Sequence, residues 1–546
     1  MDVAVIGSGV SGLAAAHALV ARGATVTIFD VGEVLEARRQ AAVDRLHDLP
    51  ASEWPRDDFE LIDENSTYAE AGLPKKVHFG SDYIYADNRP FSPLTTLAEG
   101  RVPYPTFAKG GFSNIWGAAV LPVDACDMVD WPISRAEIEP YFKKVAALMP
   151  LAGGEGTLSQ AFPAYRDTGS LDPGPQGTLL LDDLSRAEQR LLKRNTLYGK
   201  ARLAVHTEPV GEDVLPCNGC GHCFTGCVRG SIYSTLGQFD DLKRTKGIRH
   251  RAGIFVDSID EGGDKAVVRL VDVTSRQRVE EKFDAAFLAC GPINTTRLLL
   301  HSKKLYDRPV QLRESQKFVL PMLRLRQAET AITHPSISLA SVFLETKVEG
   351  LSEHWMHAQI VPMNEMIVRS ARLPPPSRKW LRFVMEPAFR RMMAAWCGMH
   401  SDHSSAVELR VRNDGNGAAV RLELDLVVSE KARRQAHVAA RDLFRKGLMF
   451  GTVFCFWMIR FSNPGSGTHC GGSFPMRAVP KAECDSDRLG RPFGWSRIFA
   501  VDSSVLPSIP GTTLAFSTMA NAYRIATEAP ISGAKASLNR AFSRMR

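Results

Sequence analysis

The stretch DVAVIGSGVSGLAAAHALVARGATVTIFD, residues 2–30, decides the fold of this chain. Its first five residues are typical of a buried parallel strand. The Ala- and Leu-rich run from Val10 to Arg22 predicts a helix, and TVTIF predicts a second strand. Between the first strand and the helix, Gly7, Gly9 and Gly12 form the pattern G-x-G-x-x-G. The order strand, glycines, helix and strand predicts a βαβ unit.

Each glycine has its own role in such a unit. The first permits a tight turn, the second lets the backbone approach a pyrophosphate closely, and the third lets the helix pack on the strand. The helix N-terminus offers free N–H groups and a partial positive charge to phosphates. Asp30 ends the second strand, where a carboxylate can accept the ribose hydroxyls. The stretch therefore predicts a dinucleotide site, without distinguishing FAD from NAD.

The composition is that of an ordinary globular protein. The chain has 546 residues, of which 44% are hydrophobic and 23% charged, so it can bury a large core in two domains or in one domain with a nested second. Its net charge of +7 is mild for this length and gives no reason to expect a nucleic-acid partner.

We expect the chain to have no targeting or membrane-spanning segment. Because a strand begins at residue 2, we expect no secretory signal and a cytoplasmic location, although export with a signal-bearing partner subunit stays open. The longest apolar run, Gly447–Ile459, is shorter than the roughly 18 residues that a spanning helix needs. We interpret it as a buried strand or core segment.

The next motifs lie between residues 100 and 200. The loop Gly110–Gly117 (GGFSNIWG) has the flexibility to close over a flat cofactor, or it is a surface turn with a packed Trp. Ser134 and Glu137 form a predicted capping box for a helix that continues to about Leu148. Residues 150–180 are rich in Gly, Pro and Ser, which predicts a loop or linker.

A second strand, glycine and helix unit is expected further along the chain. The apolar strand Phe283–Ala289 meets Cys290-Gly291-Pro292, and a helix follows from Asn294 to Leu300. Strands mixed with a basic amphipathic piece at 379–396 (KWLRFVMEPAFRRMMAAW) predict a substrate domain over residues 310–460. The amphipathic piece is either a peripheral membrane contact or a helix pair packed on the protein.

Four cysteines lie within eleven residues in the pattern C-x2-C-x2-C-x3-C: Cys217, Cys220, Cys223 and Cys227. Structural zinc sites usually split their ligands into two separated pairs, whereas this compact spacing is of the ferredoxin type. We therefore expect an iron-sulfur cluster, either 4Fe-4S with all four thiolates or 3Fe-4S with three. Zinc, and a metal-free or disulfide-bearing loop, are the alternatives.

Motifs near the C-terminus complete a recognisable set. They are Thr468–Gly472 (THCGG), Ile498–Pro507 (IFAVDSSVLP) and Pro510–Ala520 (PGTTLAFSTMA). Together with the N-terminal glycines and the motifs above, they resemble the glucose-methanol-choline (GMC) flavoprotein oxidoreductases. The motifs occur in the family's order over nearly the whole chain.

The resemblance implies FAD as the cofactor, bound covalently or not, and oxidation of an alcohol by hydride transfer. It also implies the fold class: an α/β, Rossmann-like FAD-binding domain built from discontinuous segments, with an α+β substrate domain that contains an antiparallel sheet. The expected FAD-binding segments are 1–35, 100–125, 200–305 and 465–535. The expected cap and substrate-binding segments are 36–99, 126–199 and 306–464.

The resemblance also implies roles for individual residues. His469 matches the catalytic histidine that takes the hydroxyl proton, which an imidazole of near-neutral pKa is able to do. The expected flavin contacts are Ser113, Asn114, Val256, Gly291 and Asp502, with Val256 near the adenine and Asp502 near the ribityl and phosphate region.

One departure concerns the second catalytic position. The family usually has Asn or His there, followed by Pro, whereas this chain has Thr513-Leu514. A threonine hydroxyl forms hydrogen bonds but does not share a proton as an imidazole does. Substrate positioning is therefore expected to differ. Asp30 also stands where Glu is commoner.

The leading hypothesis is an FAD-dependent dehydrogenase acting on a sugar or other alcohol. Some sugar dehydrogenases of the family carry a similar Cys-rich segment, so electrons are expected to pass through the cluster to a redox partner protein or a quinone. The alternatives are an O2-using oxidase with structural cysteines and a catalytically altered flavin-binding protein.

Overall fold

The computed structural model describes residues 1–64, 69–70, 73–74, 76–85, 95–97, 105–245, 247–330, 334–370, 385–413, 420–466 and 468–531. The labelled helices in these ranges are α1 (Val10–Ala21), α2 (Ala37–Leu46), α3 (Arg56–Asp63), α4 (Arg135–Ala146), α5 (Gly174–Arg186), α6 (Glu188–Leu192), α7 (Thr235–Arg244), α8 (Pro292–Ser302), α9 (Glu365–Ser370), α10 (Glu430–Gly447) and α11 (Ala515–Glu528).

The strands of the same ranges are β1 (Asp2–Ile6), β2 (Thr25–Phe29), β3 (Ala69–Glu70), β4 (Leu73–Pro74), β5 (Thr95–Leu97), β6 (Thr196–Lys200), β7 (Ile248–Arg251), β8 (Ile254–Gly262), β9 (Lys265–Asp272), β10 (Arg278–Phe283), β11 (Ala285–Leu288), β12 (Val310–Glu314), β13 (Lys317–Arg324), β14 (Val342–Lys347), β15 (Trp355–Pro362), β16 (Met392–Gly398), β17 (Ala406–Arg412), β18 (Val420–Val427), β19 (Thr452–Phe454), β20 (Arg460–Phe461), β21 (Cys470–Gly471) and β22 (Ile498–Ala500).

A five-stranded parallel sheet in the order β22-β11-β1-β2-β7 forms the centre of one half of the molecule. Val3 to Ile6 of β1 are all buried, as are the four residues of β11, because a parallel sheet is covered on both faces. Helix α1 packs beside α11 on this sheet. The carboxyl ends of β1, β2 and β11 therefore meet at one edge, where α1 and α8 begin.

The other sheets of the described structure are antiparallel, except for one parallel pair. The largest has the order β19-β13-β16-β15-β14-β6, with β20 also paired to β13. A five-stranded sheet has the order β21-β12-β17-β18-β5, in which only the β18–β5 pair is parallel. A three-stranded sheet, β10-β9-β8, lies between β7 and β11 in the chain. The architecture is thus a Rossmann-like α/β unit joined to antiparallel sheets, as the sequence predicts.

Several local predictions are confirmed. Helix α4 begins after Ser134, whose hydroxyl accepts from the N–H of Glu137 while the Glu137 carboxylate accepts from the N–H of Ser134. The second strand, glycine and helix unit is present as β11, Gly291 and α8.

Three local predictions are wrong. Residues 385–389 form one helical turn, but Met392–Trp396 belong to β16 inside the large sheet rather than to a second helix; residues 379–384 lie outside the described ranges. The run Gly447–Ile459 ends α10, contains the short β19, and leaves Trp457 60% exposed, so it is not a single buried segment. Helix α5 occupies the end of the expected loop 150–180 because Pro173-Gly174-Pro175 starts a helix instead of interrupting one.

The predicted domain boundaries stay a prediction. The parallel sheet takes its strands from residues 2–29, 248–251, 285–288 and 498–500. However, β6 and β21, which fall near the edges of the expected FAD-binding segments, pair within the two large antiparallel sheets. Of the helices with described residues, none is long and apolar enough to cross a membrane.

Candidate active site

A cavity of about 230 Å³ opens at the carboxyl edge of the parallel sheet. We call it the glycine cavity, because Gly7 and Gly9 line it where β1 turns into α1. A Cβ atom at Gly9 would have no atom closer than Gly110 O at 4.0 Å, so this position faces open space. A Cβ atom at Gly12 would lie 2.0 Å from Gly7 O. Gly12 therefore serves helix packing and is not part of the cavity wall.

Asp30 lines the same cavity at the end of β2. Its Oδ1 accepts from the N–H of Gly32 at 3.1 Å, while Oδ2 is buried without a hydrogen-bond partner among the described residues. His250 Nε2 lies 3.9 Å from Oδ2, which is too long for a hydrogen bond. Burial raises the pKa of Asp30, and His250 partly offsets this rise. Asp30 thus presents an unused acceptor to the cavity.

The loop Gly110–Gly117 lies over the glycine turn, because Gly110 N donates to Ser8 Oγ at 2.8 Å. Ser113 lines the cavity, and its hydroxyl donates to Gly110 O at 2.7 Å. Asn114 is not part of the cavity wall; its amide donates to Lys109 O at 2.9 Å. Of the two predicted flavin contacts in this loop, only Ser113 reaches the cavity.

Val256, Gly291 and Asp502 line the far side of the glycine cavity. Asp502 is buried and accepts from Thr295 Oγ1 at 2.5 Å and from Ser504 N at 3.0 Å. Burial raises the pKa of its carboxyl group, and these hydrogen bonds oppose the rise. The residue is therefore held in one orientation where α8 begins.

The sequence analysis missed Arg297, which also lines this cavity and is only 3% exposed. Its guanidinium lies over the ring of Phe255 at 4.7 Å and donates to Val256 O at 2.8 Å. Its Nε has no partner in the part of the chain that the structure describes. Within the segment NTTRLLL, no pattern distinguishes this arginine from one on the surface.

His469 lies where the glycine cavity meets a second cavity of about 310 Å³, and it lines both. Burial lowers the pKa of His469 well below its ordinary value, and Lys317 and His357 lower it further. Its Nδ1 has no hydrogen-bond partner among the described groups. The preceding Thr468 has φ 53°, an uncommon value for a β-branched residue. Burial and these two neighbours therefore favour the neutral imidazole, and the strained backbone at Thr468 directs the chain that carries it.

We call the second cavity the lysine cavity, because Lys76 and Lys317 line it. Burial lowers the pKa of each lysine to about 8. Trp116, Phe224 and Trp396 form aromatic parts of the wall. The sequence analysis missed both lysines, because nothing in their neighbourhood distinguishes them from the many lysines that occur on surfaces.

Thr513 lines the lysine cavity at the start of α11, but its hydroxyl is already engaged. Its Oγ1 donates to Leu121 O at 2.9 Å and accepts from Leu121 N at 2.8 Å. Since a hydroxyl has one proton and two lone pairs, only one lone pair is left for a substrate.

The four cysteines of the motif lie in a loop stiffened by turns at Gly219 and Gly221, which have φ of 69° and 87°. None of the four forms a disulfide, and no three of their described sulfur atoms lie within 4.8 Å of one another. Burial raises the pKa of the thiols of Cys217 and Cys220 to about 12, with a further rise from neighbouring thiols.

Backbone N–H groups face three of these sulfurs: that of Gly219 faces Cys217, that of His222 faces Cys220, and those of Ser231 and Ile232 face Cys227. Phe224, within the motif, forms part of the wall of the lysine cavity. The cysteine loop therefore adjoins the cavity that contains His469.

Comparisons with known proteins agree with this architecture. Residues 5–58 match the family model of an NAD(P)-binding Rossmann-like domain. The fold is similar to that of pyridoxine 4-oxidase from Mesorbium loti, with a TM-score of 0.58 and 12% sequence identity over 96% of this chain and 98% of that one. No curated protein matches the sequence. The similarity confirms the fold class, and function has to be argued from the site.

Gly9→Val should prevent dinucleotide binding while leaving the fold intact. The valine side chain would not clash with the protein, but it would project into the cavity where a pyrophosphate approaches the backbone. The purified protein should therefore contain no FAD. The measurement is the flavin absorbance per chain, with circular dichroism as the check on folding. Gly237→Ala, at a position of α7 that also has open space around it, is the control. A folded Gly9→Val protein that still binds FAD would contradict this interpretation of the cavity.

Proposed function

We propose that this protein is an FAD-dependent oxidoreductase of the GMC type that oxidises a hydroxyl group of a sugar or other alcohol. The observation that carries the proposal is the position of His469, which lines both the glycine cavity and the lysine cavity. A base at this junction is able to contact a substrate in one cavity next to a cofactor in the other.

The residues of the glycine cavity fit FAD. The unpartnered Oδ2 of Asp30 suits a ribose hydroxyl, and the open space at Gly9 suits a pyrophosphate next to the N-terminus of α1. Leu514 and Ala515, at the N-terminus of α11, provide a second helix end at the wall. FAD bound there would supply the oxidising power for removal of a hydride from the alcohol carbon.

His469 would take the proton of the substrate hydroxyl as the carbon is oxidised. Its lowered pKa keeps the imidazole neutral, and therefore able to accept a proton, throughout the neutral pH range. The same low pKa makes the protonated form costly, so a nearby group has to stabilise negative charge on the substrate oxygen.

Lys317 is the best candidate for this second role. It lines the lysine cavity with His469, and the two interact strongly enough for Lys317 to lower the histidine pKa. A charged Lys317 would stabilise a developing alkoxide. Thr513 is poorly suited to this role alone, because its hydroxyl is already hydrogen-bonded to Leu121.

We further propose that Cys217, Cys220, Cys223 and Cys227 bind an iron-sulfur cluster. Around one zinc ion, with Zn–S bonds of about 2.3 Å, sulfurs would lie about 3.8 Å apart, and the described sulfurs are more widely spread. In a cluster each thiolate binds a different iron, so its sulfurs lie farther apart than those around a single ion. The backbone N–H groups that face the sulfurs suit its charge. When present, the cluster would conduct single electrons to a redox partner protein or quinone.

The contact between the cysteine loop and the lysine cavity supports the dehydrogenase with a relay over an oxidase. Phe224 joins the two, and Lys76, in the cavity wall, is close enough to Cys223 and Cys227 for their charges to interact. The name of the similar structure, an oxidase, favours the alternative of an O2-using enzyme in which the cysteines are structural. Iron content and turnover on O2 separate the dehydrogenase from the oxidase. Flavin bleaching by alcohols identifies a protein that binds FAD without turnover.

His469→Gln should keep FAD bound but lower the rate of flavin reduction by the alcohol roughly a hundredfold or more, because the proton acceptor is lost. The measurement is anaerobic stopped-flow bleaching of the flavin with a panel of sugars and alcohols. His437→Gln, at an exposed position of α10, serves as the control. Equal bleaching in the His469 variant and the parent would remove the base assignment, and no bleaching by any alcohol in the parent would favour a protein without turnover.

Lys317 should give the reaction a pH dependence. The group is charged below its pKa of about 8 and neutral above it, so kcat/KM should fall as the pH rises through that value. Glu314, Glu345 and Cys397 are the charged or titratable groups whose interactions oppose this lowered pKa. In Lys317→Gln, kcat/KM should be lower and the fall above pH 8 should disappear. A variant that keeps the parent profile would exclude this role.

Cys220→Ser should leave flavin reduction by substrate unchanged and slow the transfer of electrons to an external acceptor. Protein purified without oxygen should contain roughly three to four irons per chain, and the variant should contain fewer. Cys484→Ser, at a half-buried position outside the motif, is the control. Iron-free parent protein with rapid turnover on O2 would establish the oxidase alternative instead.

A further inference from the structure

A group of residues of the types that bind metals lies outside both cavities. Asp127 belongs to a 3₁₀ turn at Ala125–Met128, His354 precedes β15, and His400 follows β16. One potential ligand atom from each of the three lies within 4.8 Å of the others, and no other such group of three occurs among the described His, Cys, Asp and Glu residues.

The three side chains are in direct contact. His354 Nδ1 lies 3.2 Å from Asp127 Oδ1, and the His354 and His400 rings stack with centroids 3.7 Å apart. Asp402 adds a carboxylate oxygen, 3.5 Å from His354 Nε2 and 3.6 Å from His400 Nδ1. The group thus offers two imidazoles and two carboxylates.

Two buried side-chain atoms of this group have no hydrogen-bond partner among the described residues. Asp127 is 0% exposed, yet its Oδ2 accepts no hydrogen bond in the described structure; His400 is 2% exposed, and its Nε2 is equally unpartnered. A buried carboxylate oxygen and a buried imidazole nitrogen each lose favourable interactions with water on folding, which a bound ion would restore. His400 Nδ1 accepts from Asp402 N at 3.2 Å, so binding of an ion at Nε2 would move the ring proton to Nδ1.

We propose that Asp127, His354 and His400 bind a divalent transition-metal ion, zinc being the best match, through His354 Nδ1, while Asp402 orients the His354 ring from its other nitrogen, Nε2. Two nitrogens and one or two carboxylate oxygens are a common zinc ligand set, whereas Ca²⁺ and Mg²⁺ prefer oxygen alone. The two carboxylates balance the charge of a dication. Asp402 is the most exposed of the four and gives the ion a path of entry.

Binding requires a small rearrangement of the side chains. With bonds of about 2.0–2.1 Å, the ligand atoms of a tetrahedral zinc ion lie about 3.4 Å apart. The present spread, within 4.8 Å, closes to that value by rotation of the two rings out of their parallel stack. Bonds from the ion to the His354 and His400 rings would then replace the contact between the stacked rings.

The proposed ion would brace the segment that leads to the start of α11. Ser508 Oγ donates to Asp127 O at 3.0 Å, and Ser401 N, next to His400, donates to Ile509 O at 2.9 Å. The metal site would therefore join the end of β16 to the chain that carries Thr513. This proposal is independent of the proposed redox function, because none of its residues lines either cavity.

The test is titration of chelator-treated, full-length protein with Zn²⁺ by calorimetry and with Co²⁺ by visible absorption. We expect one ion per chain whose cobalt spectrum has the bands of nitrogen and oxygen ligands, without the strong thiolate charge-transfer band that binding at the cysteine loop would give. Cys220→Ser should retain this ion, and so should His334→Gln, the control at an exposed histidine. A large excess of Mg²⁺ or Ca²⁺ should not displace it.

His400→Gln should abolish binding of this ion, and Asp402→Asn, at a partly exposed position that does not threaten folding, should weaken it at least tenfold. Zn²⁺ should also raise the unfolding temperature of the parent but not of His400→Gln. The proposal is overturned if the parent binds Zn²⁺ only through the cysteine loop, or if Asp402→Asn and a folded His400→Gln bind it as the parent does. If His400→Gln fails to fold, the Asp402→Asn result alone decides.

Discussion

The close approach of α1 to the turn that follows β1 is the constraint on which the rest of the site depends. A single Cβ atom at position 12 would lie 2.0 Å from the carbonyl oxygen of Gly7, so only glycine permits this contact. The helix can therefore start directly at the end of the strand. The loop at Gly110 is attached to the same turn through Ser8, and Trp116 of that loop reaches both cavities. The absence of a side chain at position 12 thus fixes the turn to which one wall of each cavity is attached.

The interior near His469 contains an unusual number of titratable groups. Glu345 and His357 face each other across β14 and β15 and are hydrogen-bonded within the core. The charges of Glu345 and Glu314 oppose the lowering of the pKa of Lys317, and the charge of His357 lowers the pKa of His469. Removing such groups from water is costly, and a purely structural sheet would be more stable with apolar residues there. Their presence is better explained by the chemistry proposed for the lysine cavity.

The sequence predicts the parts of this molecule that depend on local patterns. The βαβ unit at residues 2–30, the capping box at Ser134 and the unit around Gly291 are recognisable because strand periodicity, glycine and capping residues act over short distances. The helix prediction for 379–396 fails at Met392–Trp396, which belong to a strand. The residues of this strand are buried or half-buried on both faces of the sheet, which removes the alternation that marks a half-buried strand. Lys317, Arg297 and the group around His400 depend on contacts between distant segments, for which a single sequence holds no signal.

The order of the strands in the parallel sheet has a consequence for the synthesis of the protein. Strand β1 is made first, but its neighbour β11 comes almost three hundred residues later, and β22 and α11 lie near the end of the described chain. At about 5–20 residues per second, translation of the whole chain takes roughly half a minute to two minutes. During that time the apolar faces of β1 and β2 have no permanent partner on one side. We therefore expect the nascent chain to depend on chaperones, and the glycine cavity to form only after translation is nearly complete.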